Sequence, residues 1–72
     1  MSLKTSGNRA ITEKQLELLE LVSRGYIAKE IAYKINRTEN WVNHSMGSIK
    51  AKLKAKTNVE AVANAFRQGL LK

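Results

Sequence analysis

The stretch KEIAYKINRTENWVNHSMGSIKAKL, residues 29–53, decides the fold of this 72-residue chain. Four apolar residues recur in its second half at spacings of four, three and four: Val42, Met46, Ile49 and Leu53. That spacing is typical of an α-helix with one narrow apolar face. Thr38 is a favourable N-cap, and Glu39 suits the positive end of the helix dipole. The pattern predicts a helix from Glu39 to Leu53.

A shorter helix is predicted just before it, from Ala28 to Ile35, with Ile31 and Ala32 on its inner face. The connection Asn36-Arg37-Thr38 is short, and asparagine tolerates the left-handed conformation that ends a helix. A short helix, a tight turn and a longer helix match the helix-turn-helix plan, in which the second helix enters the DNA major groove.

The outward face of the longer helix carries amide, imidazole and ammonium groups. Asn43 suits an adenine edge, His44 can donate or accept, and Asn40 suits a base or a phosphate. Phosphate contacts, which give affinity without sequence information, are predicted for Arg37, Lys50, Lys52 and Lys54. The alternative is a solvated helix surface without function.

Two residues of this helix have more than one interpretation. Gly47 weakens a helix by about 0.5–1 kcal/mol relative to alanine. It either allows close approach of DNA or of the first helix, or is a tolerated weakness. Trp41 lies at the flank, where we favour partial burial under the turn over contact with DNA.

Two further helices are predicted, and no window alternates as a strand does. Thr12 with Gln15 and Thr57 with Glu60 are expected to form capping boxes at the starts of helices over 13–24 and 59–67. The inner face of the last helix is expected to contain Val62, Ala65 and Phe66. The whole is an all-α, four-helix helix-turn-helix domain over residues 11–72, preceded by a disordered arm, residues 1–10, whose first three residues are typical of a vector remnant.

Composition removes most other function classes. The chain has no cysteine and one histidine, so we expect no metal site, no cofactor and no enzyme activity. No apolar run is long enough to span a bilayer, and a cytoplasmic location fits. The net charge of +7 favours a polyanionic partner, with solubility alone as the alternative. Charge is also polarised along the chain, from −1 over residues 13–25 to +3 over residues 39–56.

The segments ITEKQLELLELVSRG, KEIAYKI, TENWVNHSMGSIKAKL and NVEAVANAFRQGLL together resemble the LuxR-type helix-turn-helix family, also called GerE-like or FixJ/NarL-like. The resemblance covers about residues 11–71. It implies a transcription regulator, such as a response regulator output domain, that binds double-stranded DNA as a homodimer and contacts RNA polymerase. It implies base contacts from Asn43, His44 and Gly47, and phosphate contacts near Thr38, Asn40 and Trp41. It also places the dimer interface on the last helix, at Val59, Val62, Ala63, Phe66 and Arg67.

The chain departs from the family at several positions. The family commonly has a small hydroxyl residue where Ile27 stands, and often has lysine at Asn40 and Asn43. It usually has glycine where Lys54 stands, so we expect Lys54 to prolong the helix. We predict sequence-specific binding of duplex DNA on an inverted repeat. The alternative is a protein-interaction module, an anti-activator that pairs with a related regulator and binds DNA weakly or not at all.

Overall fold

The structure, a computed structural model, describes residues 11–72 and consists there of four α-helices without a strand. The helices are α1 (Glu13–Ser23), α2 (Ala28–Lys34), α3 (Glu39–Lys52) and α4 (Asn58–Arg67). All four predicted helices are present, and no predicted boundary differs by more than one residue. The predicted N-terminal arm lies outside the described residues.

The core is built around α3, which packs against each of the other three helices. The apolar stripe of α3 is buried as predicted, and Ile49 at its centre is completely inaccessible to solvent. The other buried residues come from the other three helices and from the C-terminal segment: Leu18, Leu19, Ile31, Ala32, Ala61, Ala65 and Leu71. Complete burial of one such aliphatic side chain is worth about 1.5–3 kcal/mol, so this stripe fixes which face of α3 points outward.

Threonine side chains begin three of the helices. At α1, Thr12 Oγ1 accepts from the Gln15 N–H at 3.1 Å and Gln15 Oε1 accepts from the Thr12 N–H at 3.3 Å, which confirms the predicted capping box. At α4, the threonine half of the predicted box is present. The other half is wrong, because the Glu60 carboxylate accepts from the Lys56 N–H at 2.7 Å instead of the N-cap N–H.

The end of α3 differs from the prediction. Helix α3 stops at Lys52, and Lys54 adopts a left-handed conformation with φ of 56°. The expectation that Lys54 prolongs the helix is therefore wrong. The chain turns here through a local cap, in which the Ala55 N–H donates to the Lys50 carbonyl at 2.8 Å. Leu53 is buried beside this turn, and its carbonyl accepts a hydrogen bond from Asn64 Nδ2 of α4 at 2.9 Å. Lysine adopts the left-handed conformation at a cost.

The inner face of α4 is made of small residues. Ala61 and Ala65 are completely buried, Val62 is partly buried, and Phe66 is 48% exposed. The expectation that Phe66 lies inward is wrong. Two alanines one turn apart let α4 approach the rest of the core closely, which turns the bulkier phenylalanine toward solvent.

Candidate nucleic-acid interface

Helices α2 and α3 form the predicted helix-turn-helix. Between them Asn36 has φ of 58°, the left-handed conformation predicted for it, and the Arg37 N–H donates to the Ala32 carbonyl at 2.9 Å. Thr38 then caps α3, since its Oγ1 accepts from the Trp41 N–H at 2.9 Å. This local hydrogen bonding fixes the point at which α3 starts relative to α2.

The start of α2 has no hydroxyl cap, because Ile27 occupies that position. The Glu30 carboxylate accepts from the Ile27 N–H at 3.0 Å and satisfies one backbone donor of the helix start. Ile27 itself is 63% exposed, although it is apolar. An exposed isoleucine at the N-terminus of α2 leaves this helix end without the small polar side chain typical of the family.

One side of α3 is exposed and opposite the buried stripe. We call it the reading face, and it consists of the residues predicted to contact bases: Asn40, Asn43, His44 and Gly47. Within two turns of helix it presents two carboxamides, one imidazole and one position without a side chain. The structure therefore brings all four predicted base contacts together on one surface.

Gly47 has free space around it. A Cβ atom built at Gly47 would meet no heavy atom within 4 Å, and the residue has ordinary helical geometry. The interpretation that Gly47 allows close approach of α1 is therefore wrong. Nothing inside the fold requires a glycine that destabilises a helix by about 0.5–1 kcal/mol.

The predicted phosphate contacts are in several environments. Lys54 is exposed beyond the end of α3, and Lys50 is partly buried on its last turn. Lys52 lies five residues after Gly47, which places it about 140° away round the helix axis. Its Nζ donates to Gln15 Oε1 of α1 at 2.9 Å. Lys52 thus joins α3 to α1, a contact across 37 positions that no local pattern indicates.

Trp41 is partly buried and packs against the core, which confirms the predicted partial burial and leaves a contact with DNA as a prediction. The Arg37 guanidinium lies over the indole ring, 5.0 Å from its centroid. Such a cation–π contact contributes about 0.5–1 kcal/mol at an exposed site. It also holds an exposed arginine beside the N-terminus of α3.

A small cleft of about 260 Å³ lies beside the reading face. Asn43 lines it together with Ile27 at the start of α2 and Asn58 at the start of α4. Most of the other residues that line the cleft are apolar, among them Val22, Ile31 and Val42.

The outer face of α4 is apolar. Val59 is 80% exposed, Phe66 is 48% exposed, and Val62 and Ala63 between them are partly buried. At the end of this stripe, Arg67 Nη1 donates to Asn64 Oδ1 at 2.6 Å. The predicted dimer residues therefore form one continuous surface, and most of it faces solvent in the single chain.

Sequence reasoning missed one exposed aromatic surface. Tyr33 on α2 is 90% exposed, and the Lys34 ammonium lies 4.7 Å from the ring centroid of Tyr26 nearby. The exposure of Tyr33 follows from its place opposite the buried Ile31 and Ala32, so the helical period could have indicated it.

Residues 11–72 contain no cluster of three or more potential metal ligands. None of the helices described is long and apolar enough to cross a membrane.

Residues 9–65 match the luxR family of bacterial regulatory proteins. The match includes the whole helix-turn-helix and most of α4. The chain belongs to the luxR family. It is a helix-turn-helix DNA-binding domain of the type found in transcriptional regulators, which confirms the family and the fold class predicted from the residues.

The chain is also similar to individual curated proteins. It is 40% identical over 67 residues to the HTH-type transcriptional regulator AlkS of Alcanivorax borkumensis, covering 93% of this chain and 8% of that protein. It is 32% identical over 68 residues to the transcriptional regulatory protein YdfI of Bacillus subtilis, covering 94% of this chain and 32% of YdfI. It is 33% identical over 61 residues to the response regulator protein VraR of Staphylococcus aureus, covering 85% of this chain and 29% of VraR.

The luxR-family chain thus spans a third or less of each of these regulators. No solved structure matches it significantly.

Proposed function

We propose that this luxR-family chain binds duplex DNA sequence-specifically, with α3 in the major groove, as part of a transcription regulator. The observation that carries the proposal is the position of the reading face. The buried stripe fixes α3 on the core, so its amide and imidazole groups are presented outward as one surface. An α-helix fits the major groove, where base edges distinguish all four base pairs.

The proposed base contacts are Asn40, Asn43, His44 and Gly47. The proposed phosphate contacts surround them on the turn and on the end of α3: Arg37, Thr38, Trp41, Lys50, Lys52 and Lys54. Lys50 and Lys54 are proposed to contact phosphates without first breaking a hydrogen bond to another helix. Lys52 has to release Gln15 before it reaches a phosphate, so its contribution to affinity is the smaller one.

Two copies are proposed to pair through the outer stripe of α4, with Val59, Val62, Ala63, Phe66 and Arg67 at the interface. Exposed apolar side chains at helical spacing favour a symmetric contact with the same helix of a second copy. A two-fold dimer matches an inverted repeat with half-sites about one helical turn apart.

The names of the relatives support a regulatory role, and we propose that it is carried out in the cytoplasm. AlkS and YdfI are named as transcriptional regulators, and VraR is named as a response regulator. We propose that this domain is the DNA-binding output part of such a protein, that it acts by binding without catalysis, and that RNA polymerase is a further partner.

The proposal is tested by fluorescence anisotropy with labelled duplex DNA at several salt concentrations. If six phosphates are neutralised, the affinity should fall about 10³-fold between 50 and 200 mM salt. A double variant, Lys50→Gln with Lys54→Gln, should reduce the salt slope by about 1.8. Glu17→Gln on the far helix α1 is a control that should leave the slope unchanged.

The test separates DNA binding from the anti-activator alternative. An anti-activator with a weakened reading face would pair with a related regulator through α4. It would show little binding of random duplex DNA at low salt. Absence of binding at 50 mM salt, or an affinity independent of salt, would refute the proposed function.

A further inference from the structure

The reading face contains no lysine or arginine. Between Arg37 and Lys50 the sequence has no cation from either residue type, so the cations lie on both sides of the reading face and not within it. The groups that reach base edges are the carboxamides of Asn40 and Asn43 and the imidazole of His44, all on exposed residues. The charge available for phosphate binding is thus separated from the groups available for bases.

This composition discriminates between bases. Guanine is recognised in the major groove mainly by arginine or lysine, which donate two hydrogen bonds to O6 and N7. Adenine is recognised by asparagine or glutamine, whose carboxamide donates to N7 and accepts from N6. We infer that Asn43 selects adenine, so that one A·T pair in each half-site is read by this residue. This inference rests on the proposed function.

The other polar groups are compatible with this selection. The His44 imidazole can donate to N7, which adenine and guanine share, so a contact through that atom does not favour guanine over adenine. Glu39 at the start of α3 has only acceptor atoms and cannot donate to guanine O6 or N7. Asn40, one turn before His44, carries the same carboxamide chemistry as Asn43.

Close approach of the helix is the second requirement. Asparagine is shorter than arginine or lysine, so its carboxamide reaches a base edge only if the α3 backbone lies deep in the groove. Gly47 is one turn after Asn43 on the same face, and the space at its Cβ position is free. We assign Gly47 the role of letting DNA approach α3 where a side chain would hold it away.

The experiment is selection of bound duplexes from a randomised pool by the chain and by two arginine variants, followed by competition measurements. The chain should select adenine at one position of each half-site. Exchange of that A·T pair for G·C should weaken binding about 5- to 150-fold. Asn43→Arg should change the selected base from adenine to guanine. Tyr33→Arg on α2 adds the same charge outside the reading face and should keep adenine.

A third variant tests the role of Gly47. Gly47→Ala should have a higher thermal midpoint, because alanine favours the helix and its Cβ atom would meet no neighbour. It should also bind the selected duplex about tenfold more weakly. Binding as tight as that of the unchanged chain would overturn the role of Gly47.

The outcomes separate the inference from the proposed function. Selection of guanine, no base preference, or adenine kept by Asn43→Arg would overturn adenine selection while DNA binding stands. No binding of any duplex at low salt would refute the proposed function and the inference together.

Discussion

Replacing Lys54 with glycine should stabilise the fold and weaken DNA binding at the same time. Lys54 has φ of 56°, a conformation that costs a residue with a Cβ atom about 1–2 kcal/mol. Glycine removes this cost but loses about 0.5–1 kcal/mol through its greater freedom in the unfolded chain. The expected net gain in the free energy of unfolding is about 0–1.5 kcal/mol, and the thermal midpoint should rise by up to about 12 °C.

The effect on DNA comes from the lost ammonium group. If Lys54 contacts a phosphate, the slope of log affinity against log salt should become shallower by about 0.9. Lys54→Gln is the matched variant, since it removes the same charge but keeps a Cβ atom. It should show the same change of slope without the gain in stability.

Both quantities are measured on the same preparations, by thermal unfolding followed by circular dichroism and by fluorescence anisotropy across a salt series. A Lys54→Gly variant that is less stable than the unchanged chain would refute the argument from backbone strain. Salt slopes unchanged in both variants would remove Lys54 from the phosphate contacts.

Three further predictions follow from the cap, the core and the outer stripe. Thr38→Ala removes the acceptor for the Trp41 N–H and should lower the free energy of unfolding in urea by about 1 kcal/mol, whereas Thr38→Ser should lower it much less. Equal losses in the two variants would show that the hydrogen bond to the hydroxyl is not the cause. Ile49→Val removes one methylene from a completely buried position and should lower the free energy of unfolding by about 0.5–1.5 kcal/mol with an unchanged m-value. A loss near zero would contradict the central place of Ile49 in the core. Phe66→Lys should leave the thermal midpoint nearly unchanged but reduce cooperative binding to an inverted repeat, as measured by sedimentation and anisotropy. Tyr33→Lys should leave the cooperativity of binding unchanged. Full cooperativity in Phe66→Lys would exclude the outer stripe of α4 as the dimer contact.

The sequence predicted the helices well because the forces that define them are local. A hydroxyl at Thr12 or Thr38 accepts a hydrogen bond from a backbone N–H three residues later, and the apolar period of α3 repeats over about three turns. Because the apolar residues of α3 are buried, the same pattern also predicted which residues form the reading face. Its role in binding DNA remains a prediction.

What the sequence alone determined is which segments are helical, where they begin, and which side of α3 is apolar, since these depend on neighbours within one or two turns. Tertiary structure decided that Phe66 faces outward, because Ala61 and Ala65 form the completely buried side of α4. It also decided that Lys52 bonds to Gln15. Contacts between residues far apart in the chain depend on the angles between helices, and no short-range pattern specifies those angles.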